Sequence, residues 1–207
     1  MYCEPLRSNA KNEQLIKEFH IEREKKYSDP VKVGGKIIGL EAYLKYLAWD
    51  EDAYNDVKAY VIKTYFTNEI VAYFTLKCGM ITLDSELRNA LKEELAKENG
   101  VKLVPETIPC VEIAQFAVND NYKIKHGKNG QPLKGLGEAL YPDFIFPIIK
   151  KAANIIGIKC IYLYAAGDEH LTNYYERVFG FKKVEDENYV PVAPYYDNDC
   201  SFMFYVL

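Results

Sequence analysis

Apolar residues recur every second position or in short continuous runs along much of the chain, which is the pattern of β-strands. Two of these runs are separated only by Thr67-Asn68-Glu69, a connection short enough for an antiparallel hairpin. The chain also closes on two strand-like runs that predict a final hairpin. The strand candidates are 57–66, 70–83, 111–118, 158–166, 181–192 and 201–207.

Other segments carry apolar residues at helical spacing. After Gly137, Leu140, Phe144 and Ile148 follow at four-residue steps, which predicts a helix with one buried stripe. Pro147 lies inside this helix and should kink or split it, because proline lacks the backbone N–H and crowds the preceding turn. The remaining helix candidates are 11–26, 41–49, 84–100 and a short segment that ends in 175–181.

The order of these elements predicts a mixed α/β fold. Antiparallel strands come first, a strand–turn–helix–strand unit with one parallel crossover follows, and a C-terminal hairpin ends the chain. We expect a single domain over 1–207, with 1–38 as an N-terminal appendage and 84–109 as an insert before the fourth strand. A length of 207 residues is sufficient for one well-buried domain.

Composition narrows the choice of partners. The formal net charge is −4, so the chain has no global positive field, and we expect nucleic acid to be an unlikely partner. Five cysteines lack CxxC spacing and no histidine pair has ligand spacing, which argues against a metal site. No apolar run approaches ~18 residues, so we expect a cytoplasmic protein without a membrane segment.

The polar loop before the long helix ends in Lys134-Gly135-Leu136-Gly137. Glycines at a strand-to-helix turn let backbone N–H groups approach an anion at the helix N-terminus. A strand-to-helix turn that binds no ligand gives the same pattern. The position of this turn between two apolar strands favours a site for a phosphate-bearing cofactor. Basic residues precede it in the sequence, namely Lys123, Lys125, Lys128 and Lys134.

This order, with the segments FAVNDNYK and KGLGEAL and the ending Tyr-Glu-Arg-Val-Phe-Gly-Phe, resembles the GNAT superfamily of acyl-CoA N-acyltransferases. The similarity covers roughly residues 40–207. The subtype that it most resembles includes the acetyltransferase toxins of toxin–antitoxin modules. The resemblance implies a GNAT-like fold, acetyl-CoA as acyl donor and no metal.

The resemblance also assigns roles to residues. The backbone of Phe116, Ala117 and Val118 would contact the pantetheine arm, where the strand diverges from its neighbour. The pyrophosphate would lie against the turn, and Tyr175 would protonate the departing thiolate. Tyr174 remains an alternative acid, because Tyr175 stands five residues before Gly180 and the family tyrosine usually stands four before it. The turn residues so assigned are Lys134, Gly135, Leu136, Gly137, Glu138 and Ala139.

Glu112 is a carboxylate inside an apolar strand. Strand alternation sets Glu112, Ala114 and Phe116 on one face and Ile113, Gln115 and Ala117 on the other. If its face is open, Glu112 can take a proton from a substrate ammonium. The alternative is a glutamate that only extends to solvent.

The function that we expect is direct transfer of an acetyl group from acetyl-CoA to a primary amine on a small molecule or peptide, with a homodimer as one possible assembly. One alternative is a toxin-type acetyltransferase that acts on aminoacyl-tRNA and is neutralised by a partner protein. Another is a degenerate GNAT-like fold kept as a binding module.

Overall fold

A computed structural model describes residues 1–22, 32–33, 36–37, 39–82, 107–165, 169–183 and 200–207. Seven strands form one mixed sheet in the order β1-β4-β5-β6-β7-β9-β8, and β2 pairs separately with β3. The strands are β1 (Tyr2–Pro5), β2 (Lys32–Val33), β3 (Lys36–Ile37), β4 (Lys58–Lys63), β5 (Ile70–Thr82), β6 (Thr107–Val118), β7 (Cys160–Ala165), β8 (Lys182–Lys183) and β9 (Ser201–Val206).

Helices lie in four of the connections between successive strands of the described ranges. Short 3₁₀ turns at Leu6–Ser8 and Ile16–Glu18 flank the first helix. None of the helices in the described ranges has the length and apolar character needed to cross a bilayer. The helices are α1 (Asn12–Leu15), α2 (Leu40–Tyr46), α3 (Ala48–Ala53), α4 (Asp120–Lys125), α5 (Leu136–Leu140), α6 (Phe146–Ile156) and α7 (Glu169–Phe179).

The pairing directions confirm the predicted mixed α/β fold. The hairpin of β4 and β5 is antiparallel, with Ala59 opposite Thr75. The β6–β7 pair is parallel and is joined through the long helix, which makes the single crossover. Antiparallel β8 and β9 form the C-terminal hairpin.

By compactness the chain divides into a first unit, Met1–Lys77 with Ala114–Ile148, and a second unit, Cys78–Ile113 with Ile149–Leu207. The core of the first unit packs α2 and the 3₁₀ turns against β4 and β5, with Phe19 and Tyr73 in edge-to-face contact at 5.3 Å between ring centroids. The core of the second unit lies on one face of β6, β7 and β9. Its buried members are Ile81, Ile108, Cys110, Cys160, Tyr162, Phe202 and Phe204.

The N-terminal residues differ from the prediction. Tyr2–Pro5 pairs with β4 as an edge strand of the sheet, so this segment is a strand that the sequence pattern did not reveal. The described part of the helix expected over 11–26 ends at Glu18, because Phe19 is extended and fully buried in the first unit's core. Residues 23–26 of that prediction lie outside the described residues. The helix expected over 41–49 is two helices that meet at Leu47.

The irregularity expected at Pro147 takes the form of a π-helical turn, Tyr141–Ile145, between α5 and α6. The N–H of Phe146 donates to the carbonyl of Tyr141, five residues earlier. In this wider turn the ring of Pro147 does not crowd the carbonyl of the preceding turn. The N–H that closes the turn belongs to Phe146, so the proline does not have to donate one. The predicted helix 84–100, and most of the predicted strand 181–192, lie outside the described residues.

Candidate active site

The glycine turn has the backbone geometry that an anion site requires. Gly135 has φ 72° and ψ 6°, in the left-handed region, and directly precedes α5. It is exposed, as are Lys134, Glu138 and Ala139, while Leu136 and Gly137 are half-buried. The N–H groups that open a helix have no partner within it, so they can donate to an anion from solvent. These residues fit the pyrophosphate of acetyl-CoA.

Glu138 is the acidic member of this turn. Its Oε2 atom lies 3.8 Å from the point that a Cβ on Gly135 would occupy. A carboxylate in the first helical turn is favourable for the helix dipole, and it also opposes a bound phosphate. Positive charge near the turn must therefore come from elsewhere in the loop.

The loop before the turn is folded back tightly. Lys128 and Gln131 exchange backbone hydrogen bonds of 3.0 and 2.9 Å, and Leu133 N donates to the Lys123 carbonyl at 2.9 Å. Of its lysines, Lys123 pairs with Asp120, and Lys125 lies 2.9 Å from Glu69. Lys128 and Lys134 are exposed, which makes them the better candidates to meet phosphate charge.

The strand that precedes the loop is anchored at its end by Asn119. Its backbone N–H donates to Val71 and its side-chain amide donates to Ile70, each at 2.8 Å. Ala117 is buried in the first unit's core, whereas Phe116 and Val118 are half-buried. These hydrogen bonds from Asn119 to β5 fix the end of the backbone that is assigned to the pantetheine arm.

The register of β6 with β7 is confined, among the described residues, to Cys110–Glu112 opposite Cys160–Tyr162. Beyond Glu112, β6 continues to Val118. The register with β7 therefore ends before Phe116, Ala117 and Val118, the residues that the resemblance assigns to the pantetheine arm.

Glu112 lies on the less buried face of β6. Burial alternates along the strand, so that Ile113 and Gln115 are buried while Glu112 and Ala114 are half-buried. The Tyr162 hydroxyl donates to Glu112 Oε2 at 3.1 Å. Glu112 is therefore not simply a glutamate directed to solvent, because a buried phenol holds one of its oxygens.

Tyr162 is 6% exposed and contacts the rings of Tyr164 and Phe202 at 6.0 and 5.6 Å between centroids. Burial raises the pKa of Tyr162 well above its ordinary value, and the neighbouring Glu112 carboxylate raises it further. The phenol thus keeps its proton and acts as a donor. Sequence reasoning missed Tyr162, since nothing in the apolar run 158–166 shows which residue lies opposite Glu112.

Tyr175 lies on the other face of the second unit's sheet. Its ring packs on Phe181, at 5.9 Å, and Phe181 packs on Tyr205, also at 5.9 Å. Tyr205 and Phe204 are successive residues of β9 and point to opposite faces, and Phe204 is the register partner of Tyr162. Glu112 and Tyr175 are therefore separated by the sheet. Tyr174 is adjacent to Tyr175, at 6.1 Å between centroids, and packs edge-to-face on Phe179.

Histidines contribute to ion pairs in the first unit. His20 lies 3.1 Å from Glu41 and 3.0 Å from Glu22, and His126 lies 3.3 Å from Glu69. Within the described ranges, no group of three or more His, Cys, Asp or Glu side chains could hold a metal ion.

Solved structures share this architecture. A mutant of KacT, with 18% sequence identity, covers 99% of this chain and 94% of its own, with a TM-score of 0.62. AtaTR bound with acetyl-CoA gives 15% identity, coverages of 99% and 92%, and a TM-score of 0.60. AtaT complexed with acetyl-methionyl-tRNAfMet gives 16% identity, coverages of 97% and 92%, and a TM-score of 0.59. The chain has a GNAT-like fold.

AtaT is a toxin, and its Y144F mutant is bound to the C-terminus of the antitoxin AtaR. At identities of 15–18% the similarity concerns the GNAT-like fold alone. No family model matches the sequence, and no curated protein matches it.

One expectation from composition is wrong. A net charge of −4 suggested that nucleic acid is an unlikely partner, yet AtaT, which has the same fold, is complexed with a tRNA. Net charge sums over the whole surface, whereas an RNA is bound by local groups. The sum is therefore no ground for excluding nucleic acid for a chain of this fold.

Proposed function

We propose that the protein is an N-acetyltransferase that moves an acetyl group from acetyl-CoA to a primary amine by direct transfer. The observation that supports this most is the exposed glycine turn, with Gly135 at φ 72°, at the start of a helix in a GNAT-like fold. Acetyl-CoA supplies the activated acetyl group. AtaTR, of the same fold, is bound with acetyl-CoA.

Backbone N–H groups and two lysines bind the donor. The N–H groups of Leu136, Gly137 and Glu138 donate to the pyrophosphate, and Lys128 and Lys134 offset the Glu138 carboxylate. The backbone of Phe116, Ala117 and Val118 orients the pantetheine arm. Held in this way, the thioester reacts with a bound amine at a high effective concentration, which supplies much of the rate.

The second unit carries the proton-transfer groups. Glu112 takes a proton from the substrate ammonium, which leaves a neutral amine to form the C–N bond. The C–S bond breaks, and Tyr175 gives its phenol proton to the thiolate. Since the two groups lie on opposite faces of the sheet, both reach one thioester only where it lies in the opening that β6 and β7 leave beyond Glu112.

The experiment that tests this proposal is calorimetric titration with acetyl-CoA, followed by thiol release with a panel of amines, peptides and charged tRNAs. We expect micromolar binding and acceptor-dependent thiol release. Tight binding without release for any acceptor would favour a binding module of the same fold. No binding at millimolar acetyl-CoA would contradict the proposal.

A second candidate specifies the acceptor as the α-amino group of an aminoacyl-tRNA, with a partner protein that neutralises the activity. The complex of AtaT with acetyl-methionyl-tRNAfMet favours it. Expression of the chain should then arrest growth, and a Tyr175→Phe variant should not. Acetylation of free amino acids as fast as of charged tRNA would contradict it.

A further inference from the structure

Gly79 and Tyr162 are fitted to one another within the second unit. A Cβ at Gly79 would lie 2.2 Å from the Tyr162 hydroxyl oxygen and 2.6 and 2.8 Å from two of its ring carbons. Real side chains do not approach so closely, so only glycine leaves room for the phenol at this place on β5. A glycine inside a strand weakens it, and its presence therefore points to a close approach such as this one.

Neighbouring rings also hold the Tyr162 ring in place. Tyr164 and Phe202 contact it from its own strand and from β9, and its exposure is 6%. The hydroxyl group consequently has one direction available, toward Glu112 Oε2 at 3.1 Å. Four strands of the sheet, β5, β6, β7 and β9, thus contribute to the placement of a single carboxylate.

We propose that Tyr162 is the positioning residue for Glu112, fixing the rotation of the carboxylate that receives the substrate proton. This inference rests on the proposed acetyl transfer. In the step itself an N–H bond of the ammonium breaks and an O–H bond forms on Glu112, while Tyr162 retains its own proton.

The hydrogen bond also affects how readily the Glu112 carboxyl group loses its proton. A donor to the ionised form lowers the pKa of a carboxyl group, so its removal raises that pKa. The other titratable groups that interact with the phenol are Tyr164 on β7 and Cys110 on β6. Neither is charged near neutral pH, so a change in the pKa of Glu112 on removal of the phenol is not masked by a charge on either of them.

The test compares Tyr162→Phe with the control Tyr60→Phe, which alters a half-buried strand tyrosine of the first unit. Carboxyl carbon NMR of the whole protein reports the pKa of Glu112 without need of an acceptor. We expect Tyr162→Phe to raise this pKa by about one unit, a tenfold change in the ionisation constant. The acid limb of kcat/KM against pH should shift equally, with KM for acetyl-CoA unchanged, and Tyr60→Phe should shift neither.

An unchanged pKa of Glu112 in a folded Tyr162→Phe variant would overturn the proposal, as would a shifted pKa with an unshifted activity profile. If the wild-type protein transfers acetyl to no acceptor, the acetyl-transfer function fails, and with it the catalytic role, while NMR still decides whether the pair exists. If Tyr162→Phe does not fold, Glu112→Gln replaces it: tyrosine-selective carbon NMR at neutral pH should then show a changed chemical shift for the Tyr162 Cζ atom, and an unchanged shift would contradict the pair.

Discussion

Tyr174 and Tyr175 are adjacent, half-buried residues of α7, and their ring contacts distinguish them. Both rings pack on Phe179, and Tyr175 also packs on Phe181. We expect Tyr175→Phe to lower turnover at least about tenfold, because a phenol of pKa near 10 is a suitable donor to a departing thiolate. Acetyl-CoA affinity by calorimetry should stay the same. Tyr174→Phe is the matched control, and a loss of turnover in it alone would assign the acid to Tyr174.

Lys63 is a lysine with 1% exposure, and its charge is stabilised by Glu4 Oε1 at 2.9 Å and Asn12 Oδ1 at 3.0 Å. Burial alone would raise the pKa of Glu4, but the hydrogen bonds from Lys63 and Asn12 lower it overall. Glu4→Gln leaves a buried ammonium without its counter-ion and should cost about 3 kcal/mol of unfolding free energy.

Denaturant unfolding at pH 7 measures this cost. The control is Glu69→Gln, which breaks a pair of the same 2.9 Å length to Lys125, a lysine with 60% side-chain exposure; it should change stability by less than about 1 kcal/mol. Because the folded pKa of Glu4 is lowered, its contribution is present above the unfolded pKa and is lost as pH falls through the folded value. Equal costs for the two variants would contradict the role given to burial.

At the scale of elements, Gly135 and Gly157 form a natural comparison. Both are in the left-handed region, with φ 72° and 70°; Gly135 directly precedes α5, and Gly157 directly follows α6. An added Cβ would meet little in either place, so Ala at each should cost a similar amount, about 1 kcal/mol. Only Gly135→Ala should weaken acetyl-CoA binding, by at least about tenfold, because it shifts the donors of the turn. Equal affinities in calorimetry would remove the turn from the donor site.

The elements that the sequence predicted are those whose pattern is local. Alternation over 57–66 and 70–83 and the short connection between them were sufficient for the hairpin of β4 and β5. Tyr2–Pro5 shows no such alternation and is a strand only because β4 offers it an edge. The 11–26 pattern was helical, yet Phe19 gains more from burial in the core than from another helical turn.

Likewise, some residues of the candidate site could be predicted from a local sequence pattern and others could not. The glycine turn is a contiguous motif and could be recognised from its residues. The Tyr162–Glu112 pair depends on the register of two strands that are 50 residues apart in sequence, which no local pattern contains. Gly79 was the available signal, since a glycine within the apolar run 70–83 marks a close approach, but the partner could not be named from it.

For the whole molecule, the open question is whether the acceptor is a small amine or a charged tRNA, and salt separates the two. A protein that contacts several phosphates releases counter-ions on binding, so its affinity falls steeply with salt, whereas a small amine involves few such contacts. If aminoacyl-tRNA is the acceptor, kcat/KM for it should fall at least about tenfold between about 50 and 200 mM salt. A small primary amine, assayed under the same conditions, corrects for any effect of salt on acetyl-CoA binding. Parallel curves for the two acceptors would show that the RNA itself is not recognised, and the proposal would return to a small-molecule or peptide amine.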